Sequence, residues 1–139
     1  MRILNFLLLS VLLFLCNIHV HAQLSKSIDE IEVQYKDCQR AKPDSTVCSR
    51  LYLSQIDSML TVVFEKLKSQ LSSEEKLSLL KDQASWSEKK GKFFKKEDEN
   101  FVYNLKEGIW TKDMIRFSYQ AKTAFVLKRI KTLLKQLQE

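Results

Sequence analysis

Cysteine is the residue type in this sequence whose possible chemistry is clearest. Cys38 and Cys48 flank the segment QRAKPDSTV, and a third cysteine, Cys16, lies in an apolar run near the N-terminus. Two thiols at this spacing can form a disulfide, whereas two cysteines alone cannot complete the tetrahedral ligand set of a zinc site. What these thiols do therefore depends on the compartment that the chain reaches.

The start of the chain has the pattern of a signal peptide. An apolar run covers 3–18, and Val20-His21-Ala22 places small residues where signal peptidase reads them. We expect cleavage before Gln23, which makes 1–22 the signal peptide and 23–139 one exported domain, periplasmic or secreted. An uncleaved anchor is the alternative, although the run is shorter than the roughly 20 residues of a membrane span.

Cleavage would remove both histidines, Cys16 and one arginine, so the formal net charge would fall from +6 to +5. Histidine-based catalysis is then excluded, and Cys38 and Cys48 are predicted to form one disulfide. Closing this loop should stabilise the fold by roughly 2.5–3 kcal/mol. Two buried free thiols are the alternative. Lipidation of Cys16 is disfavoured because Leu15 before it is not small.

Other candidates for chemistry are weak. Ser-x-x-Lys occurs at Ser78–Lys81 and Ser87–Lys90, where a desolvated amine can activate a hydroxyl, but no second part of such a site follows. Glu97-Asp98-Glu99-Asn100 offers oxygen ligands without the spacing or turn glycine of a calcium loop. Two glycines form no phosphate-binding loop. We predict no catalytic, cofactor-binding or metal-binding residue.

Apolar residues at spacings of three and four run through the rest of the chain, and no strand-like alternation occurs. Pro43 must separate the first two helices, because proline disrupts a helix interior. The segment 95–111 predicts a long irregular loop. The fold class is therefore all-α, an antiparallel bundle of about four helices with one disulfide. We expect the helices to begin near Ser25 or Ser27, Ser45, Ser72 and Thr111.

Each helix carries an apolar stripe that predicts its buried face. In the third helix the stripe is a heptad seam with small residues at its middle, which leaves room for a neighbouring helix or for Trp86. The predicted stripe of the second helix is Cys48, Tyr52, Ile56, Met59, Val63 and Leu67. The predicted seam of the third is Leu77, Leu80, Ala84, Ser87, Gly91 and Phe94. The stripe of the fourth is Ile115, Tyr119, Lys122, Val126, either Arg129 or Ile130, Leu133 and Leu137.

Four sequence features together match a known pattern. They are the cysteine pair with Thr46 ahead of the second cysteine, the segment LTVVFEKL over 60–67, Gln83-x-x-Trp86 followed by Lys90, and Arg129-x-x-x-Leu133 in the last helix. The chain thereby resembles the lysozyme inhibitor LprI-like family, which consists of small exported bacterial helical domains. The resemblance marks Gln83, Trp86 and Arg129 as signature residues.

The chain also differs from that family. Thr61 and Phe64 replace the usual asparagine and tyrosine of the second helix. The family often has a second cysteine pair, and its positions correspond to Phe94 and the vicinity of Ala121. The resemblance implies a non-catalytic binding protein whose partner is a cell-wall hydrolase or another envelope protein. A charge of +5 disfavours long-range attraction to a basic lysozyme.

Two surfaces are candidates for partner contact. Phe101, Tyr103 and Trp110 are aromatic residues in the predicted loop, and aromatic residues in long loops are enriched at binding hot spots; alternatively, they cover the open end of the bundle. The lysine-rich helix faces suggest a peripheral contact with anionic lipid or glycan. Export makes nucleic acid an improbable partner, and the sequence does not determine the oligomeric state.

Overall fold

The computed structural model describes the backbone of residues 2–42, 46–109 and 111–138, and the side chains from residue 22 onward except Lys112. Within these residues the chain forms four α-helices and no strand, which confirms the all-α prediction. The helices are α1 (Arg2–Ala41), α2 (Thr46–Gln70), α3 (Ser73–Lys106) and α4 (Lys112–Gln136).

The capping pattern predicted that the first helix begins near Ser25 or Ser27, and this is wrong for the full chain. α1 begins at Arg2, and the Ser27 hydroxyl donates to the Gln23 carbonyl within the helix (3.0 Å). The leucine-rich start contains no proline or glycine, so nothing interrupts helix propagation there. α1 is continuous through residue 22, and the signal peptide stays a prediction. At its other end α1 stops at Ala41, as Pro43 requires.

A capping box turns the chain between α2 and α3, as predicted. The Glu75 amide donates to Ser72 Oγ (3.4 Å), and the Ser72 amide donates to Glu75 Oε2 (2.9 Å). These two bonds satisfy amides that a helix N-terminus otherwise leaves without partners. Thr111 is the N-cap of α4, also as predicted, but its side chain makes no capping hydrogen bond.

The predicted long loop over 95–111 is wrong. α3 continues to Lys106, and a positive φ of 69° at Gly108 then ends the helical path. The charged segment 95–100 contains no proline or glycine, and an ion pair from Lys95 to Glu99 (3.6 Å) lies along its surface. Charge alone therefore did not break the helix, because Lys and Glu are good helix formers.

α2 and α4 form the centre of the bundle, with α1 packed against α2 and α3 packed against α4. Gln83 bonds to Arg129 and Asp98 pairs with Lys122, so α3 runs antiparallel to α4. α3 follows α2 after residues 71–72 and its Lys90 pairs with Asp57, so these two helices are also antiparallel. α1 runs antiparallel to α2, because Cys38 is bonded to Cys48 while Tyr35 stacks on Tyr52. Consecutive helices thus alternate in direction, as predicted, while α2 and α4 run parallel.

The buried apolar side chains come mainly from the stripes predicted for α2 and α4. Their packing gives the bundle one continuous core. Its members are Leu24, Tyr52, Ile56, Met59, Leu60, Val63, Leu67, Leu79, Val126, Ile130, Leu133, Leu134 and Leu137. Among the described residues, no helix has a stretch both apolar and long enough to cross a membrane.

The predicted seam of α3 is wrong. Leu77 and Leu80 are 55% and 47% exposed, and Gly91 is exposed as well. Instead, a neighbouring row of α3 faces the bundle. This row includes polar residues and packs against α4. The row consists of Leu79, Gln83, Trp86, Lys90, Phe93, Phe94 and Glu97, all buried or half-buried.

Candidate functional site

A disulfide joins the end of α1 to the first turn of α2. Cys38 and Cys48 are bonded, with their Cα atoms 5.8 Å apart. The bond lies next to Ser49, whose hydroxyl is buried and accepts a hydrogen bond from Gln39 Nε2 (3.4 Å). The covalent link and this bond fix the angle between the two helices at the corner that contains Pro43.

Two stacked tyrosines continue the contact between α1 and α2. The Tyr35 and Tyr52 rings lie 4.4 Å apart and nearly parallel. The Tyr35 hydroxyl lies 3.3 Å from Ser49 Oγ and accepts from Gln120 Nε2 of α4 (3.0 Å). Burial, and next the negative charge of Glu32, raise the pKa of Tyr52 above its ordinary value, so the Tyr52 hydroxyl stays neutral.

The contact between α3 and α4 alternates cations with aromatic rings, and we name it the cation–aromatic seam. Arg129 Cζ lies 5.8 Å from the Trp86 ring centre, and Lys90 Nζ lies 5.8 Å from the same ring centre. Lys90 Nζ also lies 5.3 Å from Phe94, and Lys122 Nζ lies 5.4 Å from Phe94. Cations at these distances are attracted by the ring quadrupole. In order, the seam is Arg129, Trp86, Lys90, Phe94, Lys122 and Tyr119.

Each cation of the seam is paired with a carboxylate that lies farther out. Arg129 Nη2 lies 2.7 Å from Asp82 Oδ2, an ion pair whose alignment does not meet hydrogen-bond geometry. Lys122 Nζ lies 2.5 Å from Asp98 Oδ1, and Lys90 pairs with Asp57 of α2. The Arg129 and Lys122 side chains are 7% and 8% exposed, whereas those of Asp82 and Asp98 are 58% and 67% exposed. The three cations and their three carboxylates together carry no net charge, and the carboxylate oxygens are the part exposed to solvent.

The structure brings the three signature residues together within this seam. Arg129 Nε donates to Gln83 Oε1 (3.0 Å), and the Arg129 guanidinium lies beside Trp86. Gln83 thereby bonds across the interface from α3 to α4. Lys122, the residue after Ala121, places its Nζ 5.4 Å from the centre of the Phe94 ring.

The weaker chemical candidates occupy ordinary positions. Lys90 Nζ pairs with Asp57 and not with Ser87, while Ser78 and Lys81 are both exposed. The acidic segment that begins at Glu97 is helical, and its Asp98 pairs with Lys122. Among the described residues, no group of three or more His, Cys, Asp or Glu side chains is placed to hold a metal ion.

The predicted partner-contact residues separate. Phe101 lies in α3, half-buried beside Met114 and Phe117 of α4. Tyr103, also in α3, is 62% exposed, and Trp110 lies outside the described residues. Ile109 and Phe117 are 59% and 57% exposed. We call Tyr103, Ile109 and Phe117 the apolar tip, because they are exposed and lie close in sequence to the connection between α3 and α4.

Comparisons with models of protein families, with curated proteins and with solved structures found no match for this chain.

Sequence reasoning missed the acidic partners of the seam. Asp57 and Asp82 lie on different helices, and nothing in their local sequence indicates which cation each one meets. The cations of the seam, in contrast, could have been recognised from the sequence. Lys122 and Arg129 fall within an otherwise apolar stripe at helical spacing, and a cation on a buried face requires a carboxylate partner nearby.

Proposed function

We propose that this chain is an exported, non-catalytic helical binding domain of the type that the LprI-like family represents. The proposed ligand is an envelope protein, with a cell-wall hydrolase as the first candidate. The cation–aromatic seam supports this view because it contains the signature residues Gln83, Trp86 and Arg129 in one neutral, packed contact. Groups used in this way hold the bundle together and leave binding to the surface.

The apolar tip carries the proposal. Tyr103, Ile109 and Phe117 are large apolar side chains exposed together at one end of the bundle, and exposed aromatic residues of this kind are typical of binding hot spots. The same end holds the disulfide, since the end of α1 and the start of α4 both line a cleft there that includes Arg40 and Arg116.

Capture of partners by the exported protein tests this function. The protein, purified as the cell delivers it, is immobilised and exposed to lysozymes and to an envelope extract at micromolar concentration. We expect a retained hydrolase or envelope protein, and we expect Tyr103→Ser combined with Phe117→Ser to weaken retention by about tenfold or more. Val62→Ser, which changes an apolar residue of α2 that is 50% exposed, is the matched control. Failure of the wild type to retain any such partner would refute the proposal.

A second candidate is a peripheral binder of anionic lipid or glycan. The lysine-rich faces support it weakly, because Lys92 and Lys95 are paired with Glu88 and Glu99 along α3. The cleft between α1 and α4 brings Lys36, Arg40 and Arg116 together with amide and hydroxyl groups, and each of these cations also pairs with a carboxylate of its own helix. Co-sedimentation with anionic liposomes or acidic glycans at low salt tests it, and Arg116→Gln should reduce the bound fraction. Absence of co-sedimentation would exclude this function.

A further inference from the structure

The outer face of α4 carries three exposed lysines in one row. Lys128, Lys131 and Lys135 follow one another at spacings of three and four residues, which places them side by side on the helix surface. None of the three forms an ion pair with a described residue. The other cations of α4 with described side chains are all paired with carboxylates, and they are Arg116, Lys122 and Arg129. The cations of α4 thus divide into a paired set and an unpaired row.

The properties of α4 itself do not explain this row. Lys128 and Lys131, and then Lys131 and Lys135, are like charges at the spacing of helical neighbours, an arrangement that destabilises a helix. The sequence from residue 114 to 138 contains no Asp or Glu that could offset the repulsion. Only Lys135 lies in the last turn, where the helix dipole favours a cation. The row therefore destabilises the isolated molecule, and an anionic partner outside the chain would remove the repulsion.

α3 extends the basic surface beyond α4. Phe93 of α3 stacks on Phe125 of α4 with the ring centres 4.7 Å apart, and both side chains are half-buried. Lys89 and Lys96 lie four residues before and three residues after Phe93, so they are its neighbours on the helix surface. Lys128 likewise lies three residues after Phe125. Both lysines of α3 are exposed, and within the part of the chain that the structure describes neither has an ion-pair partner. We name this surface the lysine face, and it consists of Lys89, Lys96, Lys128, Lys131 and Lys135.

Phe117 gives the same side of α4 an apolar end. Its side chain is 57% exposed, and it precedes Lys128 by eleven residues, or about three turns, so both project from one side of the helix. From Phe117 to Lys135 the row extends over about 27 Å. A bilayer that contains anionic lipid offers a plane of phosphates to the lysines and an apolar boundary to the exposed ring. An acidic glycan offers charge alone.

We propose that the lysine face is a contact surface for an anionic lipid bilayer, with α3 and α4 lying on the bilayer and Phe117 inserted beneath the headgroups. Lysines on both sides of the stack of Phe93 and Phe125 form a surface two helices wide, which matches a plane better than one extended polymer. The inference rests on the second candidate function, peripheral binding of anionic lipid, and it names the residues that perform it.

Co-sedimentation of the exported protein, purified as the cell delivers it, with two kinds of vesicle tests the inference. One kind is phosphatidylcholine alone, and the other contains about 30% phosphatidylglycerol, which gives the surface a negative potential. We expect binding only to the second kind. Because salt screens charge, the partition constant should fall by about tenfold or more between about 50 and 500 mM salt. Phe117→Ser should lower it by about tenfold, since an aromatic ring no longer leaves water.

Substitution of the three lysines of α4 tests the position of the contact. The combined variant Lys128→Gln, Lys131→Gln and Lys135→Gln should lower the partition constant for anionic vesicles by about a hundredfold. Its melting temperature should stay equal or rise, because glutamine is a good helix former and the repulsion is gone. The matched control removes one exposed cation from each of the other helices, through Lys26→Gln, Arg50→Gln and Lys106→Gln. It loses the same charge but should lower the constant by only about threefold or less, because exposed charges away from the contact are screened.

The outcomes separate this inference from the function on which it rests. Equal losses from the two triple variants would overturn the lysine face as the contact, while binding of the wild type to anionic vesicles would still support peripheral lipid binding. A wild type that binds neither kind of vesicle would overturn both. Retention on a heparin matrix without binding to vesicles would overturn the bilayer as the partner, and unchanged binding by Phe117→Ser would overturn the inserted orientation.

Discussion

Arg129 illustrates how a single residue can be interior and charged at once. Its guanidinium contacts the Trp86 ring, donates a hydrogen bond to Gln83 Oε1 and lies 2.7 Å from Asp82. The side chain is 7% exposed, so it depends on these partners in place of water. Asp82 is largely in solvent, and the energetic importance of this carboxylate therefore exceeds what its exposure suggests.

Removal of Asp82 should accordingly destabilise the fold more than removal of an ordinary surface acid. We expect Asp82→Ala to lower the free energy of unfolding by about 1–2 kcal/mol, because it leaves a buried cation without its counter-ion. Adding Arg129→Met should recover at least half of that loss, since the uncompensated charge is then gone. Urea unfolding of the two single variants and the double variant measures the coupling.

Glu88→Ala is the matched control, because Glu88 is also an acid on α3 but pairs only with exposed Lys92. Its cost should stay within about 0.5 kcal/mol. Equal losses for Asp82→Ala and Glu88→Ala would mean that the cation–aromatic seam does not depend on its outer carboxylates.

At the scale of the elements, the sequence predicted the number of helices, the capping box of α3 and the buried stripes of α2 and α4. It failed on which face of α3 is buried. The exposed row beginning at Leu77 looks more apolar than the buried row, which contains Gln83 and Lys90. A pattern of apolar residues cannot identify a face whose polar groups are satisfied by partners on other helices, as Lys90 is by Asp57. The predicted loop failed for a related reason, because Asp98 contributes to packing as the partner of Lys122.

The capping box gives a pH-dependent prediction for α3. Hydrogen bonding by the Ser72 side chain, and next by the Ser72 backbone amide, lowers the pKa of the Glu75 carboxyl below its ordinary value. A lowered pKa in the folded state stabilises the protein above the unfolded value, and this contribution is lost as the pH falls through the folded value. Ser72→Ala should therefore lower the free energy of unfolding by about 1 kcal/mol near pH 7 and by less near pH 3.

Thermal unfolding at the two pH values, followed by circular dichroism, measures this difference. Ser73→Ala serves as the control, because Ser73 is the first residue of α3 and is not its cap. The same loss from Ser72→Ala at both pH values would show that the Ser72 hydroxyl does not lower the pKa of Glu75.

For the whole molecule, the disulfide determines how firmly α1 is held. α1 packs against α2 but is not among the helices that pack extensively with α3. Replacing both Cys38 and Cys48 with serine should lower the free energy of unfolding by roughly 2.5–3 kcal/mol, because the unfolded chain is no longer constrained. Denaturant unfolding of this variant beside the oxidised wild type measures the loss, and an unchanged midpoint would contradict it.

An intact mass of the purified protein, with and without alkylation, connects this prediction to the compartment. The predicted maturation gives a chain that begins at Gln23 and has no free thiol. In that case Cys16→Ser, the control, leaves the product identical to the wild type. Free thiols in natively purified protein would show that the bond between Cys38 and Cys48 does not form there.

The parallel pairing of α2 with α4 also determines when the bundle can fold during synthesis. α2 has its main packing surface on α4, which follows the other three helices along the chain. A nascent polypeptide that has emerged from the ribosome only as far as α3 would leave residues such as Ile56 and Val63 without their main partners. Tertiary folding must then wait until translation has passed α4, since domains pack only when their contacts are available. Until then the chain would stay unfolded, and an unfolded chain is what a protein-conducting channel can transport.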